Sequence, residues 1–355
     1  MKSPFEILWR IPRFAPILAR KPRFALKVME HHARAKATGQ PLVRAIEYAV
    51  TYQCQATCDK CSAVRMLDEQ RPRLDLAEIR SLGDACHKLG NYEANMTGGE
   101  PLLDPDLEAI VQCWHPESTF IGINTNGQLL DRERIESLRD AGVDLIKISL
   151  DSPDAEEHDA SRGLPGLYHH IFEILGMLRE IRGIRGHLCM VSTREAIEQG
   201  KVARVLDLAH GHDATLGIVL PAAIGGWDKK HEVLLEPHHR QQLEKIGKDP
   251  AVFLQGNVGK SEFVCPCGTS EIYITTYGDI IPCPFIQIAF GNVRDEPFES
   301  IYRRMAGWKK GESKPMCSSA EDPDFQRRYV DPLTACQVTP VNYKEHPHWK
   351  GEDKS

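Results

Sequence analysis

The sequence predicts an α/β fold, a partial (β/α)6 TIM-like barrel followed by a small C-terminal cysteine-rich β-hairpin/helix domain. Three observations predict it. Between residues 45 and 220, six short β-rich apolar runs alternate with amphipathic stretches. Each run ends in a polar or small-residue cluster, at the strand end where parallel α/β folds carry functional loops. From Cys265 onward the rhythm gives way to a tail with Cys265, Cys267, Cys283, Cys317 and Cys336. The expected divisions are a basic amphipathic segment over 1–43, the barrel over 44–245 and the cysteine-rich domain over 246–355.

The chain has 355 residues, enough for one large and one smaller domain. A net charge of −6 argues against nucleic acid as a partner. The opening residues are broken by Pro4, Pro12 and Pro16, and no apolar run is long enough to span a bilayer. A cytoplasmic protein is expected, with its eleven cysteines reduced and their clusters signifying metal or catalysis. Residues 7–29 hold six Lys/Arg and no acid. That stretch predicts either peripheral contact with an anionic membrane or a cap on the barrel end.

The strands are AIEYAV (45–50), YEANM (92–96), FIGIN (120–124), DLIKISL (144–150), HLCMVS (187–192) and TLGIVL (215–220). Between them LAEIRSLGDACHKLG and RERIESLRDAGV repeat apolar residues at helical spacing. Near residue 225 the alternation ends in a linker and one helix. In the tail, EIYITT and DIIPC flank the turn YGD and read as a hairpin, with Asp279 structural. Cys86 and Cys113 lie on helix-like stretches and Cys189 within a strand, where they are expected to pack as small hydrophobes.

The chemistry concentrates in CQATCDKC, which follows the first strand. Cys54, Cys58 and Cys61 offer three thiolates with no fourth ligand nearby. Zinc would need a distant fourth ligand. A [4Fe–4S] cluster can take three and leave one iron open. The other strands end in TGGEP (97–101), NTNG (124–127), SLDS (149–152) and STRE (192–195). Plainer readings stand beside these: Asn126–Gly127 as a turn, Ser149 as a helix cap, and Arg162 paired with Asp159.

The three-then-two spacing of Cys54, Cys58 and Cys61, with Gly98–Gly99–Glu100–Pro101 after the second strand, resembles the radical SAM superfamily over roughly residues 44–225. The resemblance implies that the open iron binds the amino and carboxylate groups of S-adenosylmethionine (SAM). It implies close backbone approach at Gly98 and Gly99, and Glu100 meeting the SAM ammonium. Ser149 and Asp151 would contact ribose or the methionyl group, and Arg162 the SAM carboxylate. Asn124, Asn126 and Ser192 would line the same mouth. One departure stands out: Lys60 occupies the place of an aromatic adenine contact, so that contact falls to backbone or an aliphatic stem.

The tail resembles the SPASM or twitch extension of that superfamily. Ten residues separate Cys267 from Gly278 and four more precede Cys283. GNVRDEPFESIYRRM is similar to the segment that follows the hairpin, a glycine and then a short helix. The resemblance implies one auxiliary [4Fe–4S] cluster on Cys267, Cys283, Cys317 and Cys336, with Cys265 replacing Cys267 or standing free. A four-cysteine zinc site is the alternative. Relatives that oxidise serine or cysteine residues carry an aspartate base after the hairpin cysteine; here Pro284 stands there.

The implied activity is reductive cleavage of SAM to a 5′-deoxyadenosyl radical that abstracts a substrate hydrogen. Oxidation or bond formation on a small metabolite or peptide would follow. The short stretch before the first strand disfavours a built-in peptide-leader domain. A flavodoxin or ferredoxin is implied as reductant. The alternatives are action on a membrane lipid, or a non-catalytic zinc-binding interaction protein.

Overall fold

The computed structural model describes residues 19–39, 42–255 and 264–350. Helix α1 (Pro22–Thr38) leads into strand β1 (Ala45–Thr51). The chain then alternates through α2 (Leu76–Lys88), β2 (Glu93–Gly98), α3 (Leu107–Gln112), β3 (Phe120–Thr125), α4 (Arg132–Ala141) and β4 (Leu145–Ser149). It continues through α5 (Ala155–Arg162), α6 (Leu167–Glu180), β5 (Arg185–Val191), α7 (Arg194–Glu198), α8 (Lys201–Gly211) and β6 (Thr215–Val219). All six expected strands are present, and β1 to β6 pair in sequence order, each parallel to the next.

The local sequence explains the helices between them. Asp75 and Glu78 form a reciprocal capping box at the start of α2, whose buried face carries Ile79, Leu82 and Cys86. Asp131 accepts from the Arg134 amide to start α4, and Gly142 ends it at φ +108. Burial on both faces suits a parallel sheet covered by helices, and β1 is buried along nearly its whole length. Cys86 and Cys113 pack as expected, both buried.

The sheet extends beyond the expected six strands. After α9 (Pro237–Ile246), the short β7 (Val252–Leu254) adds in parallel to β6. Across the sheet, β8 (Glu271–Ile274) adds in parallel to β1 and turns back antiparallel into β9 (Ile280–Ile281). The expected hairpin therefore forms as a continuation of the barrel sheet. Asp279 is structural, held by both Arg71 guanidinium nitrogens at 2.7 and 2.9 Å. Strand β10 (Ile288–Ala289), helix α10 (Phe298–Gly311), the single turn α11 (Ser318–Glu321) and β11 (Val341–Asn342) complete the tail.

The described part of the basic N-terminal segment covers the amino ends of the strands. The Lys21 ammonium donates to the carbonyls of Thr119 (2.9 Å) and Gly142 (2.7 Å) and pairs with Asp144. Arg20 reaches the other Asp144 oxygen at 3.0 Å, and Phe24 packs on Tyr92 and Phe120. Residues 7–18 of that segment lie outside the described residues. No helix among the described residues is long and apolar enough to cross a membrane.

Candidate functional site

The cysteine loop leaves β1 at the carboxyl end of the sheet and is held from three sides by neighbouring backbone. Gly99 donates to the Thr51 carbonyl (2.7 Å) and Glu100 to that of Gln53 (2.9 Å), drawing the GGEP loop against the chain entering Cys54. A Cβ on Gly99 would lie 2.7 Å from the Tyr52 carbonyl oxygen, so glycine is required here by protein backbone. After β6, Gly226 donates to the Cys61 carbonyl at 3.0 Å. Its added Cβ would lie 2.8 Å from the Asp59 carbonyl carbon. On the third side the Thr57 amide donates to the Arg162 carbonyl at 3.0 Å. Gly225 and Gly226 were not singled out by sequence; their adjacency just after the sixth strand is the signal that marks them.

The remaining expected SAM residues divide into those that face the site and those that build it. Arg162 lies between Asp151 (Nε to Oδ2, 2.6 Å) and the Cys58 sulfur (Nη1, 3.6 Å). It does not pair with Asp159, whose carboxylate caps the Gly166 and Tyr168 amides. Lys60 closes on the same Asp151 oxygen at 3.1 Å, so its ammonium is committed to a carboxylate. Burial works against the Asp151 charge, yet Arg162 and then Lys60 outweigh it and hold the carboxyl below its ordinary range. The other Asp151 oxygen is buried without a partner, as is the Asn126 side-chain NH2. The free Asp151 acceptor lies on the cavity lining, where it suits a ligand hydroxyl or ammonium.

Glu100 is fully buried and already engaged. One oxygen accepts from the Leu102 amide and the Thr125 hydroxyl, the other from the Asn126 amide at 2.8 Å. Its first observable role is to tie the exit of β2 to the exit of β3. Asn124, Ser149, Asp151 and Arg162 all line one cavity. Ser192 does not share that mouth: it is fully buried, and its hydroxyl donates to the Val219 carbonyl at 3.0 Å. Of the first triplet, Cys54 is exposed while Cys58 and Cys61 are half-buried.

The tail cysteines group differently from the expected set. Cys265 lies against both Cys267 and Cys317, and Cys267 also against Cys283. Cys265, Cys267, Cys283 and Cys317 are thus linked thiol to thiol. The Cys336 amide closes a turn on Leu333 and its carbonyl accepts from Arg65 at 3.0 Å. Contacts from the Cys267 and Cys317 thiols pull Cys265 well below the ordinary thiol range, with the Lys309 charge and the Ser318 amide acting the same way.

Three thiols on one loop and a second group of four supply the all-thiolate donor sets that iron–sulfur clusters use. Among the described residues, no three cysteine sulfurs come within 4.8 Å of one another. The only such compact group among the described residues is Glu198, His238 and His239. There the Glu236 amide donates to His239 Nδ1, so Nε2 carries the proton and donates to Glu198 at 2.8 Å. That contact is a helix-start hydrogen bond.

A cavity of about 560 Å³ connects the two ends of the site. Thr97, Asn124, Ser149, Asp151 and Arg162 line it on the SAM side, and Cys267, Cys283 and Pro284 on the other. Between them stand Glu47 on β1, Lys147 on β4, and His187 and Cys189 on β5. Cys189, expected to pack as a hydrophobe, instead borders the cavity, and burial pushes its thiol up to about 11. Burial drives His187 down to about 3, so its ring is neutral and bonds Thr215 at 2.7 Å.

Comparison with known proteins agrees with this arrangement. The model of the radical SAM superfamily matches residues 48–199, and that of an iron–sulfur cluster-binding domain, SPASM, matches 265–320. The chain is 26% identical over 303 residues to the AdoMet-dependent heme synthase of Nitratidesulfovibrio vulgaris, across 77% of this chain and 82% of the relative. It is also 26% identical over 271 residues to the PqqA peptide cyclase of Gluconobacter oxydans, across 71% of this chain and 74% of that one. Among solved structures, Streptococcus suis SuiB bound to precursor peptide SuiA shares the fold with a TM-score of 0.61 at 13% identity. That likeness covers 79% of this chain and 69% of the other. The open three-thiolate loop at the first strand and the second cysteine group across the cavity are thus explained together: the chain belongs to the radical SAM superfamily and carries an SPASM iron–sulfur domain.

Proposed function

We propose that the enzyme removes a hydrogen atom from a polar substrate held inside the barrel and completes a two-electron oxidation or bond formation through the auxiliary site. The observation that carries this reading is the single cavity bordered by the SAM-side loops and by Cys267 and Cys283. When bound, the first cluster and SAM supply the 5′-deoxyadenosyl radical after one electron arrives from a reductant such as flavodoxin or ferredoxin. Arg162, Asp151 and Ser149 orient SAM, with Gly98, Gly99 and Glu100 shaping the loop beneath it. An auxiliary cluster held by Cys265, Cys267, Cys283 and Cys317 would supply an acceptor for the substrate's second electron, with loss of a proton or formation of a new bond completing the change.

Glu47 and Lys147 face the cavity from opposite strands and would bind the substrate's polar groups. Burial raises the Glu47 carboxyl while Lys147 works against that rise. The substrate is a small metabolite or one side chain of a peptide, the two classes suggested by relatives named as a heme synthase and a peptide cyclase. The test uses anaerobically reconstituted protein with dithionite and SAM. Glu47→Gln and Lys147→Met should leave substrate-free 5′-deoxyadenosine formation intact while raising the KM for substrate about tenfold or more, as expected when an interaction common to ground and transition states is removed. Loss of substrate-free SAM cleavage in both variants would place these residues at SAM and refute the assignment.

A second reading concerns the N-terminal helix, where Leu26 and Met29 are 66% and 68% exposed one turn apart beside Arg23. This pattern supports peripheral contact with an anionic membrane and a lipid substrate. Binding to phosphatidylserine vesicles that disappears on removing residues 1–30 would favour it; equal binding without them would rule it out.

A further inference from the structure

Lys309 is the most unusual charged residue outside the SAM-side loops. It lies on α10 and is fully buried. Its aliphatic stem packs on the backbone of Gly268, one residue beyond Cys267. Its ammonium donates to the Ser318 hydroxyl at 3.0 Å and stands 5.8 Å from the centre of the Phe325 ring. Among the described residues no carboxylate pairs with it. A buried ammonium held only by a hydroxyl and a ring face is costly unless an anion compensates it.

The neighbouring groups that can supply that anion are the tail thiolates. Ser318 links the two directly: its hydroxyl accepts from Lys309, and its amide donates to the Cys265 sulfur. The Lys309 charge itself acts on Cys265. Four thiolates around an iron–sulfur core leave a net negative charge, which increases by one on reduction. A fixed buried cation therefore stabilises the reduced form more than the oxidised form.

We propose that Lys309, relayed through Ser318, is a positioning residue that offsets the charge of the auxiliary cluster and raises its reduction potential. The cluster is thereby poised to accept the substrate's second electron. The electron enters the cluster and no bond to the protein forms or breaks. This inference rests on the assignment of Cys265, Cys267, Cys283 and Cys317 as cluster ligands.

The test uses the full chain with Cys54, Cys58 and Cys61 replaced by Ala, so that only the tail site can load. Iron and sulfide are assayed after reconstitution, and the midpoint is read by a dithionite titration followed by electron paramagnetic resonance. Lys309→Met and Lys309→Gln should lower the midpoint, and Lys309→Arg should keep it near that of the parent. Should the neutral variants fail to load iron while Lys309→Arg loads it, charge compensation is again supported. A parent-like midpoint in either neutral variant overturns the proposal. So does an Arg variant that fails along with the neutral ones, since packing and not charge would then be at stake. If the parent itself holds zinc or no iron, the ligand assignment is what fails.

Discussion

Gly226→Ala tests whether the cysteine loop is held by backbone contact. The added Cβ would meet the Asp59 carbonyl carbon at 2.8 Å and the Cys61 nitrogen at 3.4 Å. Non-bonded carbons rest at about 3.5–4.0 Å, so the two segments must part by about 1 Å. Overpacking of this kind costs about 1–3 kcal/mol. The same movement strains the 3.0 Å bond from Gly226 to the Cys61 carbonyl, worth about 0.5–1.5 kcal/mol. The displaced residues carry a thiolate ligand, and disturbance of such outer contacts lowers metal affinity or activity about 10–100-fold. Anaerobically reconstituted Gly226→Ala should therefore hold iron and sulfide for about one cluster where the parent holds two. Its 5′-deoxyadenosine formation under dithionite should fall about 10–100-fold. Gly176→Ala is the control, because nothing lies within 4 Å of its added Cβ in α6. It should match the parent in iron and gain about 0.5–1 kcal/mol. Parent-like iron and SAM cleavage in Gly226→Ala would refute the argument.

Two further outcomes follow from the site. Cys265→Ser should lose the iron of the tail cluster, whereas Cys336→Ser should keep it; the reverse pattern in an iron and sulfide assay would return the ligand role to Cys336. Asp151→Asn leaves Arg162 and Lys60 facing each other in a buried position, at about 3–5 kcal/mol. Because the Asp151 carboxyl is held below its ordinary value, its contribution is complete above the unfolded pKa of about 3.9 and is lost as pH falls through the lower folded value. The difference in urea midpoint between parent and Asp151→Asn should thus be constant above about pH 5 and narrow below about pH 4. A difference that grows on acidification would contradict the assigned sign.

The barrel was legible because its strands are short apolar runs with an unambiguous period, and all six form where the alternation placed them. The additions at the sheet edges were not. Strand β7 is three residues long, VFL, too short to show a period, and it exists only because β6 offers an open edge. The hairpin strands could be read, but not the pairing of β8 with β1, since sequence carries no signal for which edge a distant hairpin will extend. At the site, side-chain chemistry was readable and partnership was not. Ser192 has the right residue type at the right strand end, yet its hydroxyl is taken by the neighbouring strand. Glu100 is acidic as a SAM contact requires, but the bonds that define its position run to its own loop and to β3.

The tail shows where a physical reading of three residues outweighs a count of cysteines. In Cys265–Pro266–Cys267 the proline restricts Cys265 to extended backbone. In an extended chain, residues two apart project to the same side. Both sulfurs are therefore presented together, and contact between Cys265 and Cys267 is what the structure contains. Cys336 follows a tight turn whose backbone groups are bound by Leu333 and Arg65, which fixes its position without reference to any metal. The Cys265–Pro266–Cys267 stereochemistry, together with these contacts of Cys336, favours Cys265 over Cys336 as a ligand. The same choice brings the Lys309–Ser318 pair beside the cluster, because Ser318 donates its amide to Cys265 and accepts from Lys309. The buried cation therefore depends on the ligand assignment, and the two are tested apart: iron loading of Cys265→Ser reads the ligand, and the midpoint of Lys309→Met reads the charge.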